Sequence, residues 1–395
     1  METSNQLPFY WTGQDMAALA EHFREICLKA MEDALNQLME EEAAIARGAE
    51  KGERVEDRKG SSAGTYDRTI YTSMGPLHLK IPRVRDIAWH PSFLIPRQKT
   101  SPELAETIVT NYIDGMSTGN IVNMLERVYG IKLSKGTVSN LNKRFYARVE
   151  EWRTRPIDGD KWTFLHVDAA YVHCRRSRKV ESVPFFTAVG RDEQGRWDVL
   201  GLKDGTMEDL DNWKDFLLHL KDRGLSNVDM IIGDGKEGLL EAVKQVYPES
   251  VFQVCVVHHH RLVYCAVDGK MRADTAELYK LIFECENREM AEAMGLEVAE
   301  VLRGDGREAA ARKVEDGLSH TLTHMDWEDP DLWPLIRNNN RVENLHAGTK
   351  RRTDAAALFP NAVSARMLIG AKLMQMVPEV RKKNRKSPRL LQGAL

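Results

Sequence analysis

Three features of this chain predict an α/β protein built on a mixed five-stranded sheet. Between residues 161 and 257, strand-like and helix-like runs come in a fixed order: "WTFLHVDAAYVHC", "SVPFFTAVGRD" and "WDVLGLK" as strands, a helix over about 206–222, strand "VDMIIGD", a helix over 236–247, and strand "VFQVCVV". That β-β-β-α-β-α-β order is the one of RNase H-like folds, in which the first and fourth strands lie side by side. Residues 261–326 then carry no strand signal and are rich in Ala, Glu, Leu, Met and Arg, which predicts an all-α insertion into the sheet domain. Finally, residues 101–150 divide into three short helices, as in a helix-turn-helix DNA-binding region.

The remaining regions follow in chain order. In the helical region 1–56, residues 14–46 read as one helix, with Met16, Leu19, Phe23, Ile26, Met31, Leu35 and Leu38 mostly three or four apart. Such a helix packs on its own domain or pairs two protomers. The run "RGAEKGERVEDRKGSSAGTYDR" breaks the period and reads as a linker or a DNA-contacting loop. Within the small β-containing region 57–100, Ile70, Leu77, Leu79 and Ile81 alternate with polar positions around "MGP", which predicts a hairpin. Lys80, Arg83, Arg85, Arg97 and Lys99 nearby form either a solvated face or a phosphate-contacting one.

In the helix-turn-helix, Pro102 opens the first helix, Ser117 or Thr118 the second, and Ser134 the third, with Gly115 and Gly130 as stops. The third helix offers Lys135, Thr137 and Asn140 near its start and Lys143 and Arg144 later. Recognition helices read base edges with their first residues and hold phosphates with cations, so these five are candidate DNA contacts. Residues 158–260 and 327–377 are the two parts of the predicted catalytic domain. The tail 378–395 is basic, and is expected to be disordered and to touch nucleic acid.

Bulk properties are permissive. The 395 residues carry a formal net charge of −3, so basic character is local rather than global. Five scattered cysteines argue against a secreted disulfide framework. The opening residues lack a basic-then-apolar signal pattern and no long apolar run occurs, so a soluble cytoplasmic protein with no membrane partner is expected.

Candidate chemistry rests on carboxylates. Asp168 lies in the first predicted strand, Asp234 ends the fourth, and Glu343 lies in the helical stretch "RNNNRVENLHAGTKRR". Two carboxylates on neighbouring strands repel unless a cation sits between them. Mg²⁺ is a hard ion held by carboxylates, water and phosphate oxygens, and a pair of such ions suits in-line displacement at phosphorus. Asp168, Asp234 and Glu343 are therefore both candidate catalytic residues and candidate ligands for Mg²⁺, with Mn²⁺ as a substitute. Lys350 follows Glu343 by seven residues, close to two helical turns, so both project from one face. Arg351 and Arg352 extend that basic stripe, and Arg337, Asn340 and Arg341 precede it; all are candidate DNA contacts.

Two patterns are set aside. "GDGKEG" satisfies G-x-G-x-x-G, but Asp234 would oppose a pyrophosphate inside that loop. Cys255 and His258 form C-x-x-H, with His259, His260, Cys265, His320 and His324 further along. No fixed geometry joins these pairs, so structural zinc is not expected. Cys255 and His258 are instead expected at the end of the fifth strand, supporting the active site.

Taken in order, "GPLHLKIPRVRD", "YIDGMSTGNIVNMLERVYGIKLSKGTVSNL", "FLHVDAAYV", "LKDRGLSNVDMIIGDGKEGL", "CVVHHHR" and "RNNNRVENLHAGTKRRTDAAALFPN" resemble the Mutator-like bacterial insertion-sequence transposases, over roughly residues 57–375. The resemblance assigns a DDE triad to Asp168, Asp234 and Glu343, the family C-x-x-H to Cys255 and His258, and the cation after the glutamate to Lys350. Arg337 and Asn340 match the stretch ahead of the glutamate. It implies Mg²⁺-dependent nicking at terminal inverted repeats and strand transfer into target DNA, with a circular intermediate. A homodimer on double-stranded DNA and a bacterial, nucleoid-associated location are expected. The chain departs from the family pattern at His173, where lysine is common, and at "NNNRVEN", which replaces a Thr-Thr-Asn run. Two other readings compete: a catalytically silent DNA-binding protein, and a structure-selective nuclease of the same fold.

Overall fold

The computed structural model describes residues 13–96, 98–158 and 162–382. Arg97 and the tail from residue 383 onward lie outside the described residues. The chain divides into two compact units, Met1–Phe145 and Tyr146–Leu395.

The first unit opens with helix α1 (Gly13–Arg47), followed by strands β1 (Ser61–Thr72) and β2 (Gly75–Arg85), which pair antiparallel. Alternation along the hairpin puts Ile70, Leu77, Leu79 and Ile81 against Met39 of α1, with Leu28, Met31 and Leu35 packed beside them. The first half of α1 instead leaves Met16, Leu19, Phe23 and Ile26 exposed. One expectation is corrected here. Residues 61–65, read as linker, belong to β1: Ser61 pairs with Arg85 and Ser62 with Val84. "SSAG" carries no apolar alternation and none of its four residues is fully buried, so the backbone ladder makes it a strand.

Helices α2 (Pro102–Ile113), α3 (Thr118–Tyr129) and α4 (Lys135–Thr154) follow. The first two start on Ser101 and Ser117, whose hydroxyls accept from Leu104 N and Asn120 N; Ser134 Oγ accepts from Thr137 N at 3.1 Å ahead of α4. Gly130, at φ 66°, ends α3 in the left-handed conformation. Leu104, Ile108, Ile121, Leu125, Ile131, Leu133 and Val138 form the common core. On α4, Lys135, Asn140, Lys143 and Arg144 are exposed and Thr137 is half-buried.

The second unit holds strands β3 (Trp162–Arg176), β4 (Lys179–Asp192), β5 (Trp197–Asp204), β6 (Val228–Gly233) and β7 (Val251–Val254) in the order β5-β4-β3-β6-β7. β3 pairs antiparallel with β4 and parallel with β6, so the first and fourth strands of the sheet are neighbours, as the sequence order predicts. Helices α5 (Leu210–Asp222) and α6 (Glu237–Val246) cover one face, packing Trp213, Phe216, Leu217, Leu239 and Val243 on Leu165, Val167, Phe186 and Ile231. The alternate residues Phe164, Met230 and Ile232 meet Ile336 on the opposite face. α5 starts at Leu210, not 206, because Asp209 Oδ1 accepts from Asn212 N at 3.0 Å and caps it there. Glu208 therefore precedes the helix.

Residues 256–321 form α7 (Val256–Tyr264), α8 (Arg272–Leu281), α9 (Arg288–Gly304) and α10 (Glu308–Thr321), packed around Val263, Tyr279, Val298, Leu302, Val314 and Leu318. The predicted strand "VFQVCVV" is cut short: β7 ends at Val254 and Cys255 begins α7. His258 thus stands on a helix and does not end a strand. Its β-branched neighbours favour strand, but burial of His259 and Val263 in the helical core outweighs that preference. After α11 (Trp333–Ile336) come α12 (Asn340–Ala356) and α13 (Ala362–Lys382), which pack along β3 and β5. The expected disordered tail is corrected at its start, since residues 378–382 continue α13.

Two buried imidazoles make this unit acid-sensitive. His259 Nδ1 lies 2.7 Å from Tyr279 Oη, and His324 Nδ1 lies 3.0 Å from the Thr321 carbonyl; burial pushes both pKa values down to about 4. The unfolded chain binds those protons near pH 6.5, so stability is full above that pH and falls as pH drops toward 4. Each histidine is expected to account for on the order of 3 kcal/mol of that loss. Thermal midpoints measured from pH 7 to 4 check this, and a flat profile rejects it.

Candidate active site

The pairing of β3 with β6 runs at a constant offset, Trp162 beside Val228 and His166 beside Ile232. Continued by two residues, the same offset sets Asp168 against Asp234, at the carboxyl end of β6 and just beyond the last paired position. Both side chains are close to buried, at 13% and 11% exposure. Asp168 Oδ1 accepts from the Ala169 amide at 2.9 Å, and Asp234 Oδ1 accepts from the Lys236 amide at 3.1 Å. Each carboxylate is aimed by its own backbone and keeps its second oxygen for another partner. For Asp168 Oδ2 that partner is His346 Nδ1, at 3.4 Å.

Lys236 occupies the region beside Asp234. Its ammonium lies 3.1 Å from Asp234 Oδ2 and 2.6 Å from Oε2 of Glu208, whose side chain is only 5% exposed. Tyr171 Oη also donates to that Glu208 oxygen, at 2.8 Å. Partial burial works against the charge on Lys236, but the bonds to Glu208 and Asp234 overcome it and hold the ammonium above its ordinary pKa. The lysine supplies between these two carboxylates the positive charge that a metal ion would supply.

The glycines of "GDGKEG" shape this corner. Gly235 takes φ +79° in the turn after Asp234; a Cβ on Gly233 would meet Leu239 Cδ2 at 2.4 Å. A Cβ on Gly238 would stand 2.9 Å from Leu210 N and 3.1 Å from Asp209 C. Those last contacts are backbone, so the neighbour yields only by shifting the start of α5. Gly238→Ala is expected to cost about 1–3 kcal/mol, as overpacking does, and to displace Glu208 from Lys236. Chemical denaturation measures the cost; a variant as stable as the parent would show that the loop relaxes freely.

Glu343 enters from the first turn of α12. Asn339, fully buried, fixes that turn in three ways. Its Nδ2 donates to the Val167 carbonyl at 2.6 Å, where the pairing of β3 with β6 has ended; its amide donates to Cys255 Sγ at 3.2 Å; and its carbonyl accepts from the Glu343 amide at 3.1 Å. One side chain thus joins the strand residue preceding Asp168, the start of α7 and the helix bearing Glu343. His258 Nε2 lies 3.7 Å from Glu343 Oε1, and the ligand atoms of Cys255, His258 and Glu343 lie within 4.8 Å of one another. Burial pushes the Cys255 thiol up to about 11, against the opposing pull of backbone amides.

The other sequence candidates divide. Lys350 and Arg351 are exposed on α12, with Lys350 Nζ 3.2 Å from Asp354, and Arg352 is half-buried on the same helix. Asn340 is exposed at the start of that helix. Arg341 turns inward: its guanidinium lies 3.8 Å from the centroid of Trp197, and burial with the nearby Arg191 lowers its pKa to about 10. Arg337 is half-buried, and its carbonyl accepts from Val256 N at 2.9 Å. His324 packs against Phe283 and Trp333, so among the described residues the C-x-x-H pair is completed by Glu343 and not by the later histidines. Sequence reasoning missed Asn339, His346, Glu208 and Lys236. His346 was accessible as the i+3 neighbour of Glu343 on one helix face, and Asn339 as a cap residue before that helix. Nothing local singles out Glu208.

Residues 11–382 match the family model described as "Transposase, Mutator family". The chain belongs to that family. The resemblance read from the ordered motifs is thereby borne out, over a longer stretch than the motifs themselves span. Among curated relatives, the chain is 26% identical to the transposase for insertion sequence element IS256 in transposon Tn4001 from Staphylococcus aureus, over 95% of this chain and 96% of that protein. It is 30% identical to the transposase for insertion sequence element ISRM5 from Rhizobium meliloti, over 88% of this chain and 86% of the relative. The transposase for IS905 from Lactococcus lactis is also 30% identical, with 91% and 89% covered. No helix among the described residues is long and apolar enough to cross a membrane.

Proposed function

We propose that this member of the Mutator family is an insertion-sequence transposase with DDE chemistry on an RNase H-like domain. In this reading residues 158–260 and 327–377 form the catalytic domain around an insertion at 261–326. Asp168, Asp234 and Glu343 are its metal-binding carboxylates. The single observation that carries the reading is the parallel register of β3 and β6, which brings Asp168 and Asp234 to adjacent positions, with Glu343 tied to the same strand through Asn339.

The donor set suits Mg²⁺. It is all carboxylate oxygen, Glu343 Oε1 is buried without a hydrogen-bond partner, and a lysine ammonium already lies against Asp234. Bound there, Mg²⁺ or its substitute Mn²⁺ would stabilise charge on the attacking and leaving oxygens. The protein's own groups do the rest by positioning. The Ala169 and Lys236 amides aim the two aspartates, His346 orients Asp168, and Lys350 with Arg351 and Arg352 holds DNA phosphates along α12. Water cleaves a phosphodiester at the element end and frees a 3′-hydroxyl. That hydroxyl then displaces a 3′-oxygen in a second strand, forming one phosphodiester as another breaks.

Residues 101–150 are assigned as the helix-turn-helix that reads the terminal inverted repeats, with Lys135, Thr137, Asn140, Lys143 and Arg144 of α4 on the DNA. A homodimer on DNA fits the symmetric pairing of two ends, and a circular intermediate fits the family chemistry. A labelled element carrying its cognate ends, incubated with the protein and Mg²⁺ or Mn²⁺, tests the whole reading. Metal-dependent 3′-end joining supports it. Cleavage without joining would make the protein a nuclease, and end binding without cleavage a DNA-binding protein only.

A further inference from the structure

The pocket beside Glu343 holds two groups that the carboxylate chemistry does not use. Cys255 is fully buried at the N-cap of α7, and His258 stands on the first turn of that helix. With Glu343 they present one sulfur, one imidazole nitrogen and one carboxylate oxygen within 4.8 Å of one another. His258 Nδ1 and Glu343 Oε1 are both buried and lack hydrogen-bond partners. Mg²⁺ has no use for sulfur or imidazole, whereas zinc-class ions prefer them.

We propose that Cys255, His258 and Glu343 bind a thiophilic divalent ion of the zinc class, at a site that competes with Mg²⁺ for Glu343 and so switches the enzyme off. A tetrahedral Zn²⁺ with ligands at about 2.0–2.3 Å keeps them roughly 3.3–3.7 Å apart. The His258 Nε2 to Glu343 Oε1 separation is already 3.7 Å, and no pair of the three ligand atoms is more than 4.8 Å apart. The Asn339 amide donating to Cys255 Sγ is the kind of outer hydrogen bond that steadies a metal-bound thiolate. His258 and Glu343 keep 21% and 33% of their side-chain surface exposed, which leaves a path for the ion and for a water as fourth ligand. Zinc seated there takes a Glu343 oxygen away from the proposed carboxylate set. The competition rests on the carboxylate reading above; the metal binding does not.

The test uses the full chain, stripped with a chelator and titrated with Co²⁺ as a spectroscopic stand-in. One equivalent per chain is expected, with thiolate-to-cobalt charge-transfer absorption and the intense visible bands of a tetrahedral site, both removed by Zn²⁺. Cys255→Ser should lose the charge-transfer band, and His258→Gln should weaken Co²⁺ binding at least tenfold, with circular dichroism confirming the fold of each. If Cys255→Ser does not fold, His258→Gln alone decides. A wild type without the band, or a band that survives in folded Cys255→Ser and so belongs to another cysteine, overturns the site. In the second arm one equivalent of Zn²⁺ is added to the Mg²⁺-driven cleavage reaction, where at least a tenfold loss is expected. Cobalt binding with undiminished cleavage overturns the competition. Cobalt binding in a protein that never cleaves with Mg²⁺ supports the site and rejects the carboxylate reading instead.

Discussion

Asp234→Asn is expected to remove Mg²⁺-dependent cleavage and joining by at least about 10²–10³-fold, the loss typical when one preorganised electrostatic group leaves a site. The substitution keeps the size of the side chain, and Asn Oδ1 can still accept the Lys236 amide that now bonds Asp234 Oδ1. What disappears is one of two charges set at neighbouring strand positions. Those charges repel in the metal-free protein, and relief of that repulsion offsets the loss of the ion pair from Asp234 Oδ2 to the half-exposed Lys236, so the variant should melt close to its parent. Lys236 retains Glu208, 2.6 Å away, and is not left unpaired. Cleavage of labelled element ends beside a thermal melt reads both effects. Undiminished cleavage would remove Asp234 from the chemistry, and a large drop in melting temperature would make it a structural residue.

Asn339→Leu should be nearly as damaging, through geometry instead of charge. The leucine fills the space of the amide but leaves the buried Val167 carbonyl without its 2.6 Å donor. An unsatisfied buried carbonyl costs about 1–3 kcal/mol. The backbone bonds of residue 339 to Cys255 Sγ and Glu343 N survive, so α12 still forms but is no longer pinned to β3. A shift of about 1 Å in a positioned group can cost about 10²-fold in rate. The expected signature is lost cleavage with end binding intact. Mn²⁺, which tolerates looser coordination than Mg²⁺, should restore part of it. Wild-type rates in this variant would show that Glu343 is held by other contacts.

The two aspartates were legible because buried strands announce themselves: "TFLHV" and "VDMIIG" are apolar runs that each lead into an acid, and the order of elements made those strands neighbours. Glu343 was legible through its motif and helix but not through its supports. Asn339 acts on Val167, 172 residues earlier, and no local period encodes such a contact. Glu208 was absorbed into a predicted helix because Met207 continues the apolar spacing of α5. Only the Asp209 cap, which starts the helix at Leu210, frees Glu208 to meet Lys236. The early start of α7 was hidden by two valines after Cys255 that locally favour strand. For Asn339 the deciding partner is far away in sequence, whereas for Glu208 it is the local bond of Asp209 to Asn212.

The bonds around Cys255 have a topological consequence. Val256 N donates to the Arg337 carbonyl at 2.9 Å and Asn339 N to Cys255 Sγ at 3.2 Å, so the chain leaves the sheet and returns to it through a closed neck. The stretch between them also holds the sheet directly, since the Thr321 carbonyl accepts from Gln253 Nε2 at 2.9 Å and Trp327 packs on Phe164; for the segments clear of those contacts, doubling a loop adds only about 0.6 kcal/mol of closure entropy. Relatives could lengthen, shorten or replace the helical segments that make no such contact while the carboxylates stay in register. Evolution is thereby offered a module that varies at little cost to the chemistry beside it.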